Sequence, residues 1–238
     1  MHLEGDVCEF GVAQGELSAL LANEIMDSPK RLHLFDSFEG LPVPSDKDQL
    51  IDDVLNLGSM AAYAGKMASP ESLVISRLKS VGFPAARTMI HKGFFDKLLP
   101  KRLNFPERVT FAYVDFDFHD PIKQALEFLD EVASPGAIFV VDDYDYFSSG
   151  AKDAVDAFVS SKNSSSSNYL RVLSSLETMN MVKTFTIIEK QVYKKVTHFG
   201  GQISKDSEVF LRRYTSPFRS GFERGQPQDY AANLQFAS

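Results

Sequence analysis

The chain has 238 residues, 44% of them apolar, with no tryptophan and a formal net charge of −7. That length suits one α/β domain with a sizeable core, and the acidic balance argues against a nucleic-acid binder held by phosphate contacts. No charged-then-apolar leader and no bilayer-length apolar run is present, and the single cysteine, Cys8, sits in an apolar run. A cytoplasmic protein with one packed thiol is therefore expected, without a membrane anchor.

Apolar runs alternate with helical periodicity from the start. The chain opens on Glu4-Gly5-Asp6 and a strand over 7–10, so nothing structured is expected before it. A helix follows over 16–26, with Leu17, Leu20, Leu21 and Ile25 on one face. Residues 31–35 read as a second strand. The polar, Asp-rich and Met-rich stretch 47–66 reads as a mobile loop with a short helix, and Asp46, Asp48, Asp52 and Asp53 as its solvated face. Ser69 and Pro70 are placed as cap and first residue of a helix running to Ser80. A third strand over 87–90 leads through Gly93 and Phe94 into a short helix that stops near Pro100.

Strands over 109–114 and 137–141 come next, separated by an amphipathic helix over 121–132, capped by Asp120, and by the turn Ser134-Pro135-Gly136. A helix over 150–160 and a serine-rich connector over 161–168 precede two closing strands, 169–173 and 183–189. Short β-α repetition ending in a hairpin predicts a doubly wound, mostly parallel sheet of about seven strands. Residues 1–190 form the predicted domain. Residues 191–238, where Phe210, Tyr214, Phe218 and Phe222 are spread among Arg212, Arg213, Arg219 and Arg224, are an extension expected to pack on that domain or on a neighbouring subunit.

Four aspartates carry most of the chemistry. Asp115 and Asp117 follow one buried strand, and Asp142 and Asp143 follow the next. Open α/β sheets bind ligands at the carboxyl ends of their strands, and strand alternation sends Asp115 and Asp117 to one face. Crowded carboxylates repel unless a cation or shared protons relieve them, and a hard divalent cation is the simplest relief. Helix caps and surface loops are the ordinary home of single aspartates. Two pairs on consecutive strands weigh against that.

The first strand runs into Glu9-Phe10-Gly11-Val12-Ala13-Gln14-Gly15, with G-x-x-x-G spacing where a dinucleotide fingerprint has G-x-G-x-x-G. The second ends Phe35-Asp36-Ser37, where an acid can take both hydroxyls of a ribose. Acids after both strands favour an adenosine ligand without a pyrophosphate. S-adenosylmethionine fits, its amino acid part near Glu9 and Gly11 and its ribose at Asp36. A nicotinamide oxidoreductase is disfavoured by the glycine spacing.

Five segments in order carry a family resemblance: Glu4 to Val12, Phe35 to Pro42, Lys92 to Pro100, Val114 to Asp117, and Pro135 to Tyr144. Their pattern resembles the macrocin O-methyltransferase family, metal-dependent enzymes acting on sugar hydroxyls of antibiotics. The resemblance covers roughly residues 4–189 and implies a Rossmann-like class I methyltransferase fold. It implies magnesium, or another divalent cation, at Asp115, Asp142 and Asp143, with Asp117 as base. It implies cofactor contacts from Glu9, Gly11, Asp36, Ser37, Lys92, Gly93 and Phe94, with Asp115 beside them. The acceptor would be a hydroxylated small molecule, a sugar or glycosylated metabolite of secondary metabolism, and the protein a homo-oligomer.

The chain departs from the family in lacking a helical segment before the first strand, and in reading Asp115-Phe116-Asp117-Phe118-His119 where Asp-Gly-Asp-Leu-Tyr is common. Phe116 is expected on the face opposite the acids. His91 and His119 flank the site; His119 reads either as an assisting base or acceptor contact or as a hydrogen-bonded structural histidine, and His33 as packing. Lys92 reads either as a ligand contact or as a snorkelling surface lysine. A phenolic diol acceptor is one alternative. A cofactor-binding or assembly protein that has lost catalysis is another, disfavoured because unused clustered carboxylates are destabilising.

Overall fold

A computed structural model describes residues 3–164, 169–178 and 181–190, with side-chain detail as far as residue 162. The expected extension over 191–238, and the part of the serine-rich connector over 165–168, lie outside the described residues.

Five strands run parallel: β1 (Asp6–Phe10), β2 (Leu32–Asp36), β3 (Thr88–Lys92), β4 (Val109–Val114) and β5 (Ala133–Val141). They are linked by helices α1 (Glu16–Glu24), α2 (Glu71–Ser80), α3 (Phe95–Leu98) and α4 (His119–Val132). Helix α5 (Ser149–Ser164) leads to the hairpin β6 (Tyr169–Thr178) and β7 (Met181–Lys190), and β7 pairs antiparallel with β5. The sheet order is β3-β2-β1-β4-β5-β7-β6. The doubly wound, mostly parallel fold with a terminal hairpin is as the sequence predicts. Because β1 has β2 on one side and β4 on the other, the topological switch point falls between β1 and β4, where such sheets open a crevice at their carboxyl ends.

The inner strands are buried almost throughout, so they read as continuous apolar runs and not as alternating ones. Phe10 and Phe35 stack at 4.6 Å, and Phe95 and Phe128 meet them edge-on. Each such ring contributes about 1.5–3 kcal/mol by burial, so this cluster fixes where β1 and β2 end. Cys8 is a fully buried free thiol in the same core. Helix α4 packs on it through Ile122, Ala125, Leu126 and Leu129, at the i, i+3, i+4, i+7 spacing of a one-sided helix.

Polar residues inside these runs find partners, as buried polar groups must. His33 sits between Asp6 and His91, with contacts of 3.2 and 3.1 Å, and its ring stacks within 6° of His91. Burial first, and His33 second, push His91 down to about 4. His33 and His91 are thus packed across β2 and β3.

Several boundaries differ from the sequence reading. In α1 the buried face is Ser18, Leu21 and Ala22, continued by the C-cap residue Ile25, and Leu20 is 47% exposed. Helix α2 starts at Glu71, with Pro70 as an extended cap residue and no side-chain capping bond from Ser69. Helix α4 starts at His119, so Asp120 lies inside its first turn instead of capping it. The turn Ser134-Pro135-Gly136 is absorbed into β5, where the register shifts and Gly136 takes a φ of 87°. Among the described residues no helix is long and apolar enough to cross a membrane.

Candidate functional site

Gly11 leaves β1 with a φ of 83° and donates its N–H to Phe35 O at 2.9 Å. A Cβ there would lie 1.9 Å from Asp115 O. The glycine is required because the loop crosses directly against the exit of β4, whose Asp115 N donates to Phe10 O at 2.7 Å. Asp36, ending β2, knits the neighbouring loops. Its Oδ2 accepts from Val12 N and Ala13 N at 2.7 and 3.1 Å, and its Oδ1 from Phe38 N at 2.7 Å. Ser37 Oγ donates to Gly40 O, and Gly93 N donates to Asp36 O. Gly11, Asp36, Ser37, Gly93 and Phe94 therefore line one half of a single open cleft of about 720 Å³.

Glu9 is placed differently. It is 1% exposed, accepts Ser18 Oγ at 2.6 Å, and does not line the cleft. Burial pushes its carboxyl up to about 8 against the opposing Ser18 bond, and the Asp36 charge adds to the rise. Lys92 also stands outside the lining, 3.2 Å from Glu71 and over the Phe38 ring.

The other half of the cleft carries the acids. Strand β4 ends at Val114, so alternation stops before the aspartates; Asp117 instead reaches its place through a left-handed turn with φ 60°. Phe116 lines the cleft and meets Phe10 edge-on at 5.6 Å, where alternation had put it on the far face. Asp143 is also left-handed, with φ 48°. Carboxylate oxygens of Asp115, Asp117 and Asp143 lie within 4.8 Å of one another. Asp142, expected in this set, is not part of it. Its Oδ2 accepts the Tyr113 hydroxyl at 2.6 Å and its Oδ1 accepts Asp143 N at 3.0 Å. Burial, and then the Asp142 charge, hold the Tyr113 hydroxyl well above its usual range, so the tyrosine remains a neutral donor.

The third wall is the loop between β2 and α2. Leu41, Pro42, Asp52, Asp53, Val54 and Met67 line it, and Tyr146 and Phe147 pack beside Leu41 in the same lining. The loop, expected to be mobile, is tied down. Asp53 accepts from Leu57 N, Gly58 N and the hydroxyl of Tyr63, the last residue of a short 3₁₀ turn over Met60–Tyr63, at 2.6–2.8 Å. Asp48, expected on the solvated face, is 6% exposed and accepts His119 N at 2.7 Å. The His119 side chain is buried outside the lining, with Nδ1 2.7 Å from Asp120 and Nε2 3.5 Å from Lys47 Nζ.

Tyr113 was missed by sequence reasoning, and Asp48 and Asp53, read there as solvated, are hydrogen-bonded within the fold. Ser45-Asp46-Lys47-Asp48 does carry capping-box spacing, and Asp48 reaches back to Ser45 N at 2.8 Å. Nothing local signals its bond to a helix 71 residues away.

Residues 1–168 match the macrocin-O-methyltransferase (TylF) family. Among solved structures, the chain is similar to the O-methyltransferase NovP, at 19% identity over 80% of this chain and 73% of that one, with a TM-score of 0.58. TomG from Streptomyces achromogenes, an O-methyltransferase involved in tomaymycin synthesis and solved with S-adenosylmethionine, is similar at 17% identity over 79% and 73% of the two chains, with a TM-score of 0.52. The calicheamicin methyltransferase CalS11 is similar at 20% identity over 76% and 71%, also with a TM-score of 0.52. At these identities the likeness is one of fold. No curated protein matches the chain.

Proposed function

The chain belongs to the macrocin-O-methyltransferase family and is an S-adenosylmethionine-dependent O-methyltransferase, and from that premise we propose that it methylates a hydroxyl of a sugar or glycosylated small molecule with the help of a divalent cation. The observation that carries the proposal is the meeting of Asp115, Asp117 and Asp143 in one cleft with Gly11, Asp36 and Ser37. Asp115 and Asp143 offer the hard oxygen donors a magnesium-type ion takes, and the Asp117 carboxylate lies within 4.8 Å of both.

The cofactor half of the cleft takes S-adenosylmethionine. Asp36 already accepts three backbone N–H groups, yet two carboxylate oxygens offer about four lone-pair sites, which leaves capacity for a ribose hydroxyl. Gly11 presents backbone without a side chain, and Ser37, Gly93 and Phe94 close the same end.

Asp115 and Asp143 would hold the cation, in keeping with magnesium's habit of binding through one or two carboxylates. A divalent cation bound there supplies Lewis acidity, which makes a nearby hydroxyl easier to deprotonate. Asp117 receives the hydroxyl proton. The acceptor oxygen bonds to the methyl carbon as the carbon–sulfur bond breaks, and the cleft walls fix the in-line approach.

Radiolabelled methyl transfer to glycosylated and phenolic acceptors, run with EDTA and again with restored magnesium, tests the proposal. Transfer to a glycosidic hydroxyl that stops with EDTA and returns with magnesium is expected. Undiminished transfer in chelator, or transfer to phenolic diols alone, would overturn it.

A further inference from the structure

Asp48 occupies an unusual place for a loop acid. Its carboxylate is buried and pairs with no cation among the described residues. Instead it collects four donors. Oδ1 takes His119 N at 2.7 Å and Ser148 Oγ at 3.3 Å, and Oδ2 takes Ser45 N and Ser45 Oγ, both at 2.8 Å. A carboxylate at the first turn of α4 is also favoured by the partial positive charge of that helix end. The approach is so close that a Cβ on Gly150 would fall 1.9 Å from Oδ1.

The donors lie directly behind the acids of the cleft. His119 follows Asp117 by two residues, and Ser148 closes the loop that begins at Asp143. Between them Phe118 and Phe147 stack at 6.1 Å. The same segment is zipped to the loop that forms the third wall: Ile51 N donates to Phe147 O and Ser149 N to Gln49 O, each at 3.0 Å. One carboxylate thus joins the turn bearing Asp117, the loop bearing Asp143 and the wall bearing Asp52 and Asp53.

We propose that Asp48 is a positioning residue that sets Asp117 and Asp143 against each other and against the acceptor wall. The inference rests on the reading of these acids as base and cation ligand. Left-handed turns at Asp117 and Asp143 need support from their surroundings to persist, and Asp48 supplies it to both from outside the cleft lining.

The test compares Asp48→Asn, Asp48→Ala and Gly150→Ala with the wild type. Asparagine keeps the size but replaces one acceptor oxygen with a donor, so either His119 N or Ser45 N loses its partner. Manganese binding, followed by loss of the free-ion EPR signal, is expected to weaken about tenfold or more in Asp48→Asn, as for other supports behind metal ligands. S-adenosylhomocysteine affinity should stay within about twofold, because the cofactor half does not contact Asp48. Amide exchange without metal should quicken about tenfold in 115–120 and 143–149 and stay unchanged in β1. Gly150→Ala, whose Cβ would meet Asp48 Oδ1 at 1.9 Å and His119 N at 2.7 Å, should reproduce the pattern by wedging apart the Asp48–His119 bond, which covers the case in which Asp48→Ala does not fold.

Wild-type manganese affinity and exchange in all the folded variants would overturn the proposal. So would equal losses in S-adenosylhomocysteine affinity and β1 protection, which would make Asp48 a general support of the fold. If the wild type itself takes up no manganese, the cation reading fails, and the exchange pattern alone decides the role of Asp48.

Discussion

Tyr113 donates its hydroxyl to Asp142 at 2.6 Å, and this bond separates two adjacent acids into different roles. Asp143 lines the cleft and joins Asp115 and Asp117, while Asp142 stays out of the lining with the tyrosine as its partner. A pair that looks equivalent in sequence is therefore inequivalent in the fold.

The first prediction follows from that difference. Asp143→Asn should weaken manganese binding by about 100-fold, and Asp142→Asn by about tenfold or less, because the latter acts on its neighbour's placement and not on the ion. Tyr113→Phe should cost about 1–3 kcal/mol of stability, since it leaves a buried carboxylate short of a donor. EPR titrations of the three variants, with their thermal midpoints, check this. A loss in Asp142→Asn as large as that in Asp143→Asn would restore Asp142 to the ligand set.

Glu9 gives a prediction in pH. Its folded pKa of about 8 lies above the ordinary glutamate value of 4.5, so between those values the native state holds a proton that the unfolded chain has released. Its contribution to stability is complete below about pH 4.5 and is lost as pH rises through about 8, with a slope of at most about 1.4 kcal/mol per pH unit. Glu9→Gln keeps an oxygen for Ser18 Oγ and cannot ionise. The difference in thermal midpoint, wild type minus Glu9→Gln, should therefore fall from pH 5 to about pH 8 and level off above it. A difference that stays constant or rises over that range would show that Glu9 is not buried neutral. S-adenosylhomocysteine affinity should change little in Glu9→Gln, because the side chain stands outside the cleft lining.

Much of the fold was legible because its strands are buried on both faces, and uninterrupted apolar runs such as 109–114 mark themselves. That Gly11, Asp36 and Ser37 line one cleft was legible too, since they sit on the short turns directly after strands, where sequence position and spatial position nearly coincide. The acids were legible as a group but not in their assignment. Alternation fails once β4 stops at Val114, and the left-handed turns at Asp117 and Asp143 decide what converges. Asp48 and Tyr113 were illegible for a different reason. Their defining bonds span 71 and 29 residues, and no local pattern encodes a partner at that distance.

The last prediction concerns the proton acceptor. Asp117 lines the cleft, and its carboxylate lies beside those of Asp115 and Asp143. His119, the other base weighed from sequence, is 5% exposed and outside the lining, with its ring against Asp120 and Lys47. Asp117→Asn keeps size and polarity but removes the proton acceptor. Turnover should fall about 100-fold or more, while manganese and S-adenosylhomocysteine affinities stay within about threefold, because the ligands proposed for the ion are Asp115 and Asp143. His119→Ala should lower the thermal midpoint through lost packing and lost ring contacts, and it should leave the turnover of the folded fraction within about tenfold. Three measurements on each variant separate the possibilities: single-turnover rate, manganese titration and thermal midpoint. If Asp117→Asn loses manganese as completely as Asp143→Asn, Asp117 is a ligand and not the base. If it turns over normally while folded His119→Ala does not, the proton goes to the histidine instead.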